Sequence, residues 1–215
     1  LLSVFLGVIV TFGISLSLSR TILRGVPSAF AIELPPYRQP HILRILIRSF
    51  LDRTVFVLVR AVSVAIPAGI ITWILANTSF QGMSLLLHLA NALNPFGRAV
   101  GLDGFILSAF LLGLPANEIV LPILIMGYSS GGVMVDITSL NALRALLVSC
   151  GWTSRTALCF IIFSVLHYPC ATTLWTIWHE THDIKWTLLS AIIPLIIAIS
   201  TCFLVAHIYP FPGVI

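Results

Sequence analysis

Between Phe105 and Tyr128 the chain is apolar enough to cross a bilayer, yet the middle of the run reads Gly113-Leu114-Pro115-Ala116-Asn117-Glu118-Ile119-Val120-Leu121-Pro122. About 20 apolar residues suffice for a span. Pro115 and Pro122 cannot donate to the carbonyls of Leu111 and Glu118. Backbone groups freed at membrane depth must be satisfied by protein, water or an ion. A carboxylate there costs roughly 3 kcal/mol on insertion scales. The stretch therefore reads as a discontinuous helix at a transport site, with breaks at Gly113, Pro115 and Pro122.

The rest of the chain agrees with a membrane setting. It is 59% hydrophobic and 8% charged, with mean hydropathy +1.09. Soluble domains carry about 25% charged residues, so a soluble enzyme is excluded. The pattern predicts an all-α integral membrane protein of about five transmembrane helices, two of them broken at mid-membrane. The spans are 1–19, 55–76, 105–128, 152–178 and 186–208. Residue 1 is Leu and already lies in an apolar run, which reads as a fragment of a longer polypeptide. The organisation expected is a first span over 1–24, a loop and amphipathic helix over 25–54, a central membrane domain over 55–178, and a last loop, span and tail over 179–215. The net charge of +4 makes no case for a nucleic-acid partner. Cys150, Cys159, Cys170 and Cys202 form no CxxC pair and read as free thiols.

His41, Arg44, Arg48 and Asp52 fall at helical spacing opposite Ile42, Leu43, Ile45, Leu46, Ile47, Phe50 and Leu51. That is a basic amphipathic helix, with Arg44 and Arg48 against lipid headgroups or a cytoplasmic domain. Arg60 is expected to snorkel to the interface. Residues 81–94 suit a short surface or re-entrant helix ending at Pro95, and Asp103 a turn or N-cap. Seven arginines lie from Arg20 to Arg60, which makes the first loop cytoplasmic. Counting five spans puts 129–151 inside and 179–185 outside.

The second interrupted span breaks at His167-Tyr168-Pro169-Cys170. Asn117 and Glu118 in one break, and His167 and Cys170 in the other, are candidate ligands along an ion path. Carboxylate, imidazole and thiolate together suit a borderline divalent metal such as Fe(II) or Zn rather than Na⁺ or Mg²⁺. Glu118 and Cys170 are expected to act on the same ion. His179-Glu180-Thr181-His182-Asp183 fails the zincin pattern, because its histidines are three apart rather than four. It reads as a solvated loop or an ion-collecting patch at the outer mouth, through His179, Glu180, His182 and Asp183. No GxxxxGK[ST] occurs, so nothing in the chain indicates nucleotide hydrolysis.

Four ordered stretches carry a family likeness: Glu33-Leu34-Pro35-Pro36-Tyr37-Arg38, Gly101-Leu102-Asp103-Gly104, Gly113 to Glu118, and Tyr168-Pro169-Cys170-Ala171-Thr172-Thr173. With them the chain resembles the C-terminal membrane part of the bacterial ferrous iron transport protein B (FeoB) family, over nearly its whole length. Residues 60–175 resemble the second of that family's two Gate, or nucleoside recognition, segments. The resemblance implies a non-enzymatic permease part in the bacterial inner membrane. Fe²⁺ would be the transported ion, with no bound cofactor. GTP and Mg²⁺ would bind only an absent N-terminal G domain, and a first Gate would also lie on absent sequence. The lipid bilayer and small accessory iron-transport proteins complete the implied partners, and a homo-oligomer is compatible. Two alternatives stand beside it: a Gate-type transporter of a nucleoside or other organic solute, and an intramembrane hydrolase using Cys170 and His167.

Overall fold

The computed structural model describes residues 2–21, 42–129 and 139–208. The Glu33–Arg38 stretch, the Ser130–Gly132 part of the glycine-rich break and the prolines at 210 and 212 lie outside them. Two compact units divide at Val59 and Arg60.

The first unit holds α1 (Leu2–Thr21), α2 (Ile42–Ser49), a π-helical stretch (Phe50–Val55) and the entry into α3 (Phe56–Asn77). The apolar stretch of α1 is long enough to span a bilayer and is exposed throughout. On α2, Leu43, Leu46 and Ile47 are exposed, as is Arg48. The amphipathic segment is thus helical over nearly its expected length, with a wider turn in its second half.

The second unit begins inside α3. A two-residue turn at Gln81 and Gly82, both at positive φ, joins strands β1 (Ser79–Phe80) and β2 (Met83–Ser84). Hydropathy carried no sign of this hairpin. Then come α4 (Leu85–Ala99), α5 (Gly104–Leu112), a 3₁₀ turn (Asn117–Ile119), α6 (Val120–Tyr128), α7 (Leu140–Ser149), α8 (Ser154–Leu166), α9 (Ala171–Thr181) and α10 (Ile184–Ile208). The protein is all-α in character, a multi-pass membrane protein with four helices long and apolar enough to cross a bilayer, or five if one bent pair is counted as a span.

Helix α4 starts on a Ser84 cap and runs through Pro95, past its expected end. The turn beyond the proline is held by packing, for Gly97, Val100 and Leu102 are buried. The chain then swings through 112° into α5. Asp103 caps α5 as expected, its Oδ1 accepting from the Ile106 N–H at 2.7 Å. The two helices cross so closely that a methyl group at Gly104 would run into the Ala90 carbonyl.

The largest departure concerns the run from Phe105 to Tyr128. It is broken, but it does not cross. The Tyr128 hydroxyl at the end of α6 donates to Asp103 at the start of α5, and the Phe105 and Tyr128 rings lie 5.4 Å apart. So α5 and α6 form a re-entrant hairpin whose two ends share one level. Trp152, just before α8, donates from Nε1 to the Tyr128 hydroxyl at 2.8 Å. Arg155 donates to the Ala206 carbonyl near the end of α10. Ala76, at the end of α3, shares a cavity of about 230 Å³ with Phe105, Met126 and Gly127. The end of α3, the open end of the hairpin, the start of α8 and the end of α10 therefore lie on one face.

Three crossings remain: α3, the α8–α9 pair and α10. That changes the parity of the topology. The turn at 182–183 falls on the same side as the start of α3, not the opposite side expected from five crossings. Hydropathy reports that a segment is apolar and interrupted, not whether it passes through or turns back. With the arginine-rich loop inside, the His179–Asp183 patch is at the cytoplasmic mouth rather than the outer one.

Candidate functional site

Pro115 starts the site. Because it has no N–H, the Leu111 carbonyl cannot take its helical partner, and Leu114 N–H bonds to it instead in a tighter turn. The Phe110 carbonyl, which Leu114 would otherwise have served, is freed. Tyr168 supplies the replacement donor: its hydroxyl reaches the Phe110 carbonyl at 2.7 Å. Gly113 closes α5, where a side chain would collide with Val120 as the chain turns.

A second exchange follows. The N–H groups of a helix's first turn have no partner within the helix. That of Ala171, at the start of α9, donates to the Leu114 carbonyl at 2.8 Å. An orphan donor of one broken element thus satisfies an orphan acceptor of the other. The two breaks, far apart in sequence, are one structural feature. The C-terminal ends of α5 and α8 both arrive there, and their carbonyl ends favour positive charge.

His167 follows the last residue of α8. Its Nδ1 lies 3.1 Å from the Phe163 carbonyl and 3.0 Å from that of Ser164. Carbonyls only accept, so this hydrogen-bond network assigns the proton to Nδ1. Neutral imidazole then carries its lone pair on Nε2, which is buried and has no partner among the described residues. A nitrogen so arranged is in the tautomer that metal-binding histidines use. The ring packs against Phe110 and Tyr168, with centroids 4.9 and 5.1 Å away.

Pro169 lies in the gap between α8 and α9, and Cys170 is the N-cap of α9. The half-buried thiol sits 3.1 Å from the Thr172 hydroxyl and 3.2 Å from that of Thr173. Asn117 and Glu118 occupy the 3₁₀ turn at the tip of the hairpin and are exposed. Pro122 is not a break: it lies in the first turn of α6, where an N–H has no helical partner anyway. Glu118, His167 and Cys170 are not gathered into one metal cage, nor are His179, Glu180, His182 and Asp183: among the described residues no three His, Cys, Asp or Glu side chains come together to hold a metal ion. The His179 and His182 rings lie 5.9 Å apart.

Two contributors escaped the sequence reading. Tyr168 carries the latch between the breaks; its signal was the proline-freed carbonyl, which needed a donor from somewhere. Arg60 does not simply extend to the interface but donates to the Thr172 carbonyl and the Thr176 hydroxyl on α9. No periodicity pairs residues so distant.

A re-entrant hairpin bonded to a broken span, with ligand-type side chains at the junction, defines a membrane transport fold. The family model described as nucleoside recognition (Gate) matches residues 58–183, more than half of the chain, which belongs to that family. The model for the ferrous iron transport protein B C terminus matches residues 1–52 ahead of it, so the two together cover the C-terminal membrane region expected of that transporter family. The Fe(2+) transporter FeoB of Staphylococcus aureus (strain MSSA476) is 28% identical over 216 residues, covering 95% of this chain and 31% of the relative. Those of Methanocaldococcus jannaschii and Synechocystis sp. are 25% and 26% identical, covering 90% and 88% of this chain and 29% and 30% of the relatives. The chain thus spans about a third of the length of these relatives. No solved structure matches it.

Proposed function

We propose that this chain is the C-terminal permease part of a ferrous iron importer of the bacterial inner membrane, and that Fe²⁺ passes the junction of the two breaks. The observation that carries this is the junction itself. It offers an imidazole with a free Nε2, a thiol and two helix C-termini within one bonded unit. Imidazole and thiolate suit a borderline divalent metal, and the relatives are named as Fe(2+) transporters.

Cys170 and His167 form the inner station of the path. Glu118 and Asn117, exposed on the hairpin tip, form a second one. Separate stations fit a conduit: an ion must be held well enough to enter and loosely enough to leave. The His179–Asp183 segment collects or releases ions at the mouth. GTP hydrolysis, and the first Gate, belong to the part of the relatives' length that this chain does not span. Arg44 and Arg48 on the amphipathic helix meet anionic headgroups or that G domain, and small accessory iron-transport proteins act with it.

The test is Fe²⁺ uptake by the full-length protein carrying Glu118→Gln or Cys170→Ser. Each should reduce uptake strongly while GTP hydrolysis persists. If the stations are separate, the free-energy losses should add in the double variant, because residues without shared partners act independently. A loss well short of additive would return both residues to one ion, as the sequence alone suggested. Normal uptake by both single variants would refute the site.

A further inference from the structure

We infer that Arg60 is a positioning residue for the thiol of Cys170, acting through Thr172 as an outer-shell support of the ion site. The inference rests on the reading of Cys170 as a ligand for the passing ion.

Arg60 lies near the start of α3, within an otherwise apolar helix. A guanidinium in such a segment is costly and is kept where it lines a cavity or meets specific partners. If it served only to reach the interface, its head would be left to water and lipid. Instead the side chain is half-buried, and its Nη2 donates to both the Thr172 carbonyl and the Thr176 hydroxyl. These acceptors lie on the first turns of α9.

The position of Thr172 gives the contact its meaning. Its carbonyl also accepts from the Thr176 hydroxyl at 2.9 Å. Its own hydroxyl lies 3.1 Å from Cys170 Sγ. Ala171, between the two, is bonded to the Leu114 carbonyl at the other break. The first turn of α9 is therefore held on one side by the end of α5 and on the other by Arg60. Cys170 is the N-cap of that turn, and the direction of its Cβ–Sγ bond follows from how the turn is fixed. A planar, multi-donor head can hold a carbonyl and a hydroxyl together; the ammonium of lysine, a point charge on a flexible stem, holds the pair less rigidly. Supports of this kind are worth roughly 10- to 100-fold in metal affinity.

The experiment uses Co²⁺ as the probe, with the 215-residue chain in lipid nanodiscs. Thiolate-to-cobalt charge-transfer absorption reports ligation by sulfur. The unaltered chain should show the band on titration, and Cys170→Ser should lack it. Arg60→Met should weaken Co²⁺ binding by roughly 10- to 100-fold. Arg60→Lys should recover part of that loss. Ser63→Ala, on the same helix, should titrate like the parent. Thr176→Val removes one acceptor while leaving Arg60 in place, and should weaken binding several-fold; it decides the matter if Arg60→Met does not fold. Unchanged affinity in Arg60→Met, or in Thr176→Val where it stands alone, overturns the inference while leaving Cys170 a ligand. Equal losses in Arg60→Met and Ser63→Ala reduce Arg60 to general helix packing and overturn it too. Absence of the band in the unaltered chain removes the ligand reading, and the inference with it.

Discussion

Tyr128→Phe tests the re-entrant hairpin most directly. The substitution keeps the ring, and with it the edge contact to Phe105 at 5.4 Å. It removes one oxygen that serves two bonds, donating to Asp103 and accepting from Trp152 Nε1. Two average hydrogen bonds between membrane helices would amount to about 1 kcal/mol. Here, however, one partner is a carboxylate, and such bonds contribute about 1.5–3 kcal/mol. Trp152 is also buried, at 4% exposure, so its N–H has little access to a replacement. The second consideration outweighs the first, and the expected loss is about 3 kcal/mol. Reversible unfolding in mixed micelles, followed by tryptophan fluorescence, measures it. Because Asp103 retains its cap on Ile106, helix content before the transition should be unchanged. Trp152→Phe should cost less, and the double variant should lose less than the two single losses together, since both act on one oxygen. A Tyr128→Phe protein within about 0.5 kcal/mol of the parent, the range of ordinary surface substitutions, would refute the closed hairpin.

Other outcomes follow from the same geometry. Single cysteines at Gln81 and Ser154 should be labelled by a membrane-impermeant reagent from one side and one at Asp183 from the other, whereas five crossings would separate Gln81 from Ser154. Gly104→Val places side-chain atoms where the Ala90 carbonyl lies; it should destabilise the protein by about 1–3 kcal/mol or more, read as a lowered thermal midpoint. Tyr168→Phe removes the donor that serves the Phe110 carbonyl and should cost about 1 kcal/mol, with faster proteolysis near the breaks if the latch holds them together.

What the sequence determined by itself was the chemistry of each segment. A backbone without water must close its own hydrogen bonds, so long apolar runs become helices, and prolines beside glycine, amide and carboxylate mark where the helices stop. Asp103 as a cap, the basic amphipathic helix and the gap between Leu166 and Ala171 all follow from such local rules. What it did not determine was direction. Whether the chain leaving Gly113 continues across the bilayer or returns depends on Tyr128 finding Asp103 and Trp152, and local periodicity contains no term for that meeting. The pairing of the breaks is likewise tertiary: each leaves a donor or acceptor unsatisfied, and only packing decides that Ala171 answers Leu114 and Tyr168 answers Phe110. Arg60 belongs to the same class, since an arginine near a helix end reads as an interfacial anchor until the fold brings α9 beside it.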